Sequence, residues 1–251
     1  MLRSKVEKLC LLMKSKGCKI YMDENKVCFI TCVNDEAVYE ESLLYLKRLI
    51  VPQNIQVEFL PVRNAVSMAA GYNLAMKKND AKYKVYLHQD VLLLNKDFLK
   101  DMLELFRGNE TTGMLGVIGC KDLPASGVWW GAGHLYGRVL HAPEPESISP
   151  SICQDIEGDF CRADAVDGLL LATQYDVLWR EDLFDGWHFY DTSQCFEFRR
   201  QGYEVIIPRQ LDDWCMHLVK QKPLGLVYAK YCEIFLCEYK KDMETIAAKR
   251  G

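Results

Sequence analysis

The sequence predicts an α/β fold, a mostly parallel central sheet flanked by helices. Three observations carry that expectation. Short, β-branched apolar runs alternate with amphipathic stretches of helical period between residues 26 and 107. Caps and breakers (Asn34, Asp35, Pro52, Asn95) punctuate that alternation. Of 251 residues, 49% are apolar, enough to bury a substantial core.

Residues 2–16 read as a helix, with Ser4 and Glu7 in capping-box spacing and Leu9, Leu12 and Met13 on one stripe. "KVCFITCV" (26–33) is a buried strand. Helix 36–50 follows, turning Leu43, Leu44, Leu46 and Leu49 to a core until Pro52 stops it. "IQVEFLPV" (55–62) is the second strand and "SMAAGYNLAMKK" (67–78) a helix that its alanines pack closely. "YKVYLHQDVLLL" (83–94) is the third strand and its exit, after which Asn95 caps helix 96–107. The second half is less regular. It offers a strand at 113–120, a glycine-bent hairpin or strand at 129–142, and a polar, proline-bearing loop at 143–151, with the longer stretch 143–160 suiting a lid. A strand at 163–173 follows, then a helix and strand over 190–208 divided by Gly202. Residues 222–249 form a long amphipathic helix carrying Leu226, Tyr231, Ile234, Phe235 and Met243, which either docks on its own domain or makes a homodimer seam. The expected organisation is an N-terminal helical extension (1–25), a main domain (26–220) and a C-terminal helix (221–251).

A formal charge of −4 gives no basic surplus for nucleic acid or an anionic membrane. Eleven cysteines, odd in number and irregular in spacing, with no CxxC pair, read as reduced and mostly buried thiols. The start of the chain lacks the pattern of a secretory signal, and no uncharged apolar run reaches the ~18 residues of a membrane span. The expected location is cytoplasmic, with membrane-peripheral attachment through a partner or substrate as the alternative.

Within the third strand, His88, Gln89 and Asp90 interrupt an apolar run, and burying such groups without partners is costly. His88 and Asp90, two apart, project to one face near the carboxyl end of the strand, where open α/β sheets bind ligands. A carboxylate there suits a hard divalent cation, although an aspartate at a strand end also serves simply to cap a turn. Asp191 opens a helical stretch. With Gln194 it fits a capping box, and the helix dipole would hold its carboxyl low and ionised. His217 offers an imidazole that either ligates a metal or sits as an ordinary core histidine. The glycines of "GAGHLYG" follow no first strand and open no helix, which excludes a dinucleotide fingerprint.

In order and spacing these pieces resemble the family 2 glycosyltransferases of the GT-A fold, particularly their bacterial family 2-like branch. "VCFITCVNDE" resembles the opening strand that runs under the nucleotide base, and "SMAAGYNLAM" the Ala-rich helix whose Asn, here Asn73, faces the nucleotide. "VYLHQDV" stands at the aspartate-x-aspartate motif, "FDGWHFYDTSQCFEFRRQGY" at the acceptor-side segment and "CMHL" at the late histidine. The resemblance covers about residues 26–218. It implies a metal-assisted, inverting glycosyltransferase that moves a sugar from a UDP- or GDP-type donor to a sugar or glycan hydroxyl. Asp191 would be the general base, and Asp90 and His217 would hold Mn²⁺ or Mg²⁺; an imidazole suits manganese better than magnesium. Cys32, Asn34, Arg63, Asn73, His88 and Gln89 fall on the donor side. Trp129, Trp130, Asp167, Gly168 and His188 fall on the acceptor side. Three departures stand out: His88 replaces the first aspartate, Tyr190 replaces the glutamate before the base, and "LPVRNAV" lacks the usual aspartate-glycine stretch. A nucleotidyltransferase and a non-catalytic sugar-nucleotide-binding protein are the alternatives. The first would show a glycine-rich basic loop where this chain has "TCVNDEA", and the second draws its support from His88.

Overall fold

The computed structural model describes residues 22–143, 147–151, 153–218 and 225–248, so the helix expected over 2–16 lies outside the described residues. Strand β1 (Asp23–Val33) begins inside the stretch assigned to an N-terminal extension. Asp35 caps α1 (Glu36–Leu46), accepting hydrogen bonds from the Ala37 and Val38 N–H groups. The helix ends before residue 50 because Arg48 and Leu49 donate to carbonyls only three residues back, tightening the last turn. Leu46 and Leu49 are buried as expected; Leu44 faces solvent. β2 (Gln56–Arg63) is followed by α2 (Met68–Lys78), capped by Ser67. Gly71 lets α2 lie close on β1, since a Cβ there would come within 2.6 Å of Cys32 Sγ. β3 (Ala81–Leu87) turns through residues 88–90 into β4 (Val91–Leu93), and α3 (Phe98–Gly108) follows. Asn95 does not cap α3. Asp97 holds that position, and Asn95 bonds to the Asp97 N–H at 2.9 Å and the Asp101 carboxylate at 2.8 Å.

The second half is built from short strands: β5 (Thr112–Gly116), β6 (Ile118–Cys120), β7 (Leu135–Gly137), β8 (Leu140–His141), β9 (Ser149–Pro150), β10 (Phe160–Arg162), β11 (Ala165–Val166) and β12 (Leu170–Thr173). After them come α4 (Tyr190–Arg200), β13 (Glu204–Pro208), β14 (Cys215–His217) and α5 (Leu226–Ala248). Two strands expected to be continuous are each divided. The run 113–120 breaks at Val117 and the run 163–173 at Asp167–Leu169, so that β6 and β11 leave the main sheet and pair with each other. The stretch 129–142 is a 3₁₀ turn followed by β7 and β8. It bends at Gly137, whose φ of 99° favours glycine.

The main sheet has seven strands in the order β10-β13-β5-β12-β3-β1-β2. Strands β1, β2, β3, β5 and β13 point one way, while β12 and β10 run against them. Alternation along β1 feeds two cores: Val27 and Phe29 join α1 and α3 on one face, and Cys28 and Ile30 join α2, α4 and α5 on the other. Lys84, fully buried in β3, is held by Asp176 at 2.8 Å and the Ala81 carbonyl at 2.7 Å. Of the nine cysteines among the described residues all are free, and Cys28, Cys32, Cys120, Cys195 and Cys215 are buried. No helix among the described residues is long and apolar enough to cross a membrane.

Of the two roles open to the C-terminal helix, docking on its own domain is the one seen. Tyr231, Phe235 and Tyr239 of α5 are buried, with Phe235 and Tyr239 edge-on or tilted against Phe196 of α4. Around that seam Arg200 pairs with Glu238 at 2.9 Å and Asp242 at 2.8 Å, and Tyr239 donates to Glu197 at 2.7 Å. Truncating Phe235 to alanine should therefore destabilise the whole domain by about 3–5 kcal/mol in urea unfolding. A change below about 1 kcal/mol would mean that the helix contributes little to the fold.

Candidate active site

Each of the polar residues that interrupt the third apolar run meets a different distant segment. Gln89 accepts from the Asn34 and Asp35 N–H groups at 2.9 and 3.1 Å and donates to Asn34 Oδ1 at 2.6 Å, fixing the turn after β1. His88 Nε2 meets the Tyr190 hydroxyl at 2.5 Å, at the start of α4. Asp90 lies beside His217, with Oδ1 3.4 Å from Nε2. The last approach follows from strand register: β4 pairs antiparallel with β14, placing Val91 opposite His217, and β8 sets His141 beside His217 on the other side.

His88, Asp90 and His217 each offer a ligand atom, all within 4.8 Å of one another. The site fits a divalent cation on an observation of its own. His217 Nε2 is buried and has no hydrogen-bond partner, because the 3.4 Å approach to Asp90 is an ion-pair distance without hydrogen-bond geometry. Burial pushes the Asp90 carboxyl up, but the His217 and His88 imidazoles outweigh it and hold the group below its ordinary value.

The triad opens on a cleft of about 580 Å³ lined by His88, His217, Asp167, His188, Tyr190 and Asp191, with Trp129 and Trp130 in its wall. No Lys or Arg is among the described residues that line it. Asp191 accepts from the Gly168 N–H at 2.9 Å and from its neighbour Thr192 at 2.8 Å. It is not the helix cap. Phe189 takes that position in left-handed conformation (φ 60°), packed against Tyr228 and Phe235, and Gln194 donates instead to the Val177 carbonyl. The expectation of a lowered Asp191 pKa is also reversed. Burial and then the negative charge of Asp167 push the carboxyl up to about 7, outweighing the backbone N–H groups that it accepts from. Gly168 has no room for a side chain, since a Cβ would collide with the Tyr190 ring and hydroxyl.

The donor-side expectations divide. Asn34 and Gln89 stand together at the carboxyl end of β1. Asn73 is 2% exposed, and its amide bonds the Trp179 backbone at 2.9 and 3.0 Å. Cys32 is buried against Gly71, so its thiol serves packing. Arg63 is exposed but paired twice with Glu36, at 2.6 and 2.8 Å, so its charge is already balanced.

On the acceptor side, Trp129 is buried and stacks edge-on against Trp130, which is half-exposed and packs on Tyr228 of α5. His188 packs edge-on against the same Tyr228. Sequence reasoning missed His141, Trp187 and Tyr228, all of which line the cleft. It passed over Tyr190 as a replaced glutamate rather than as the partner of His88. His141 sits in no motif, and only the β8–β14 pairing brings it to the site.

The family described as "Glycosyltransferase like family" matches residues 28–239, a span that runs on into α5. No curated protein matches the sequence. Among solved structures, the mannosyltransferase PcManGT from Pyrobaculum calidifontis, in complex with GDP-Man and Mn²⁺, superposes with a TM-score of 0.53 at 14% identity. That match covers 90% of this chain and 66% of the other. S. aureus TarS 1-349 in complex with UDP-GlcNAc gives a TM-score of 0.51 at 11% identity, over 81% of this chain and 60% of that one. The chain thus spans about two thirds or less of the length of these structures, and at such identities the likeness establishes the shared GT-A fold.

If Asn73 is structural, Asn73→Ala should lower stability by about 1–3 kcal/mol by leaving the Trp179 backbone groups unpaired. Donor binding, read as a sugar-nucleotide-induced shift in Tm, should be retained. A lost shift with unchanged stability would return Asn73 to the nucleotide.

Proposed function

This chain belongs to the glycosyltransferase-like family, and from that premise we propose that it is an inverting, cation-assisted transferase using a nucleoside-diphosphate sugar. The observation that carries the reading is the convergence of Asp191 with His88 and His217 on one cleft, beside Asp90. The donor diphosphate would lie near the carboxyl ends of β1 and β3, where Gln89 and Asn34 fix the turn. A divalent cation held by Asp90, His217 and His88 would neutralise the charge of the diphosphate leaving group. The cleft supplies no Lys or Arg of its own for that purpose among its described lining, and Arg63 is occupied by Glu36. His88, the residue that favoured a non-catalytic reading, adds a donor to the site instead of removing one.

Asp191 would take the proton from the acceptor hydroxyl as its oxygen attacks the anomeric carbon. A single displacement by that oxygen inverts the anomeric centre. The Gly168 and Thr192 N–H groups hold the carboxylate in place, and its raised pKa makes it a stronger base than an ordinary aspartate. Trp130 and His188, braced by Tyr228, present flat faces to an acceptor ring. The proposed setting is cytoplasmic.

Transfer is assayed with a panel of UDP- and GDP-sugars, with the anomeric configuration of the product read by NMR. Asp191→Asn should lower kcat by roughly 10²–10⁴ while leaving the donor-induced Tm shift intact; equal loss of both would make Asp191 a structural residue. Because burial and Asp167 raise its pKa above the ordinary carboxylate value, Asp191 should become protonated as pH falls below neutrality, so kcat/KM should fall about tenfold per pH unit on the acid side and level off at higher pH. A flat profile between about pH 5 and pH 8 would assign the proton transfer to another group.

A further inference from the structure

We infer that the acceptor is a saccharide chain of two or more rings, and that Trp130 and Trp187 form an outer subsite for the ring next to the one attacked. The inference rests on the proposed function for the transfer itself and goes further in naming the class of acceptor and the side chains that read its length.

Large aromatic rings left in water and gathered at one place mark a surface built to be covered. Of the five tryptophans, Trp129, Trp179 and Trp214 are buried. The other two, Trp130 and Trp187, are 44% and 46% exposed, and both line the cleft that holds Asp191. Trp130 ends an aromatic run. Phe189, buried at the head of α4, packs on Tyr228 with ring centroids 5.0 Å apart, and Tyr228 packs on Trp130 at 5.5 Å. His188, the residue after Trp187, meets the same Tyr228 at 5.4 Å. Exposure rises along the run, so it leads from the entry of α4 towards solvent. Trp130 is also held rigid. The buried Trp129 ring stands edge-on to it at 5.5 Å, and the turn that carries both is closed by the Gly131 and Ala132 N–H groups, which donate to the Val128 and Trp129 carbonyls at 3.0 and 3.1 Å. A platform fixed before binding needs little ordering when it is covered. The ring under attack has to lie against Asp191, within reach of His188. Trp130, one ring further out than Tyr228, is then left for the next unit of the chain. The chemistry of the wall favours sugar over hydrocarbon. Asp167 and Thr192 line the same cleft. A pyranose turns C–H groups to an aromatic face and hydroxyls to polar side chains at once, whereas a hydrocarbon would strip water from those side chains and return no hydrogen bond.

The test uses full-length protein with Mn²⁺ and the panel of UDP- and GDP-sugars. The acceptors are series that differ only in length, from methyl glycoside to disaccharide to trisaccharide, built on glucose, galactose, mannose or N-acetylglucosamine. In the series that is used, kcat/KM should rise by about tenfold or more from methyl glycoside to disaccharide, mainly through KM. Trp130→Ala should raise KM for the disaccharide by about tenfold and flatten the series, and Trp130→Phe, which keeps a flat ring, should recover most of the preference. Equal kcat/KM at every length, or a length preference that Trp130→Ala leaves untouched, overturns the outer subsite and leaves the transferase reading standing. Donor hydrolysis without transfer to any of these acceptors overturns the saccharide chain and likewise leaves a donor-cleaving site. No turnover of any donor overturns both. If Trp130→Ala does not fold, the length series of the natural protein and of Trp130→Phe decides.

Discussion

Everything at the cleft depends on a constraint met in three consecutive half-buried residues just past a central strand: polar groups drawn partly out of water need partners. His88, Gln89 and Asp90 find theirs in three distant parts of the chain, at Tyr190, at the turn after β1, and at His217. Each contact positions a functional segment. Gln89 fixes the turn where a diphosphate would approach, and His88 holds the entry of α4, which carries Asp191. Asp90 holds the strand that presents His217. The short turn between β3 and β4 thereby ties the start of α4, the turn after β1 and strand β14 to the middle of the sheet.

The second device is the split of two strands at the same level of the sheet. β5 gives way to β6 at Val117, and β11 is parted from β12 at Asp167–Leu169. The Gly168 N–H, freed from the ladder, turns to Asp191. Burial and the neighbouring Asp167 push the Asp191 carboxyl upward, the direction that makes a carboxylate a better base near neutral pH. The C-terminal helix completes this arrangement. Its ion pairs and aromatic seam with α4 brace the helix that carries Asp191, and its first turn brings Tyr228 into the cleft wall.

Legibility in the sequence followed locality. Apolar runs over 26–33 and 83–94 marked β1 and β3, and Asp35 marked a helix start that the backbone honours. Asp90, His217 and Asp191 were readable because each sits in a short motif whose order resembles a family pattern. What stayed hidden depends on contacts between remote segments. Asn73 reads locally as a ligand contact, and no local rule shows that its amide bonds the backbone of Trp179, more than a hundred residues away. His141 has no local signature, and the β8–β14 register alone places it beside His217. Asp191 shows the limit most clearly. Local rules make it a helix cap with a lowered pKa, but burial beside Asp167 decides the sign in the other direction.

The central claim is that donor diphosphate, cation and base share one cleft. Crystals grown with a nucleoside-diphosphate sugar and Mn²⁺, recorded at the manganese absorption edge, test it most directly. The account predicts one anomalous peak ligated by Asp90 and His217, touching the diphosphate, with the anomeric carbon facing Asp191. A cation bound away from those side chains, or a donor whose sugar points away from Asp191, would contradict it.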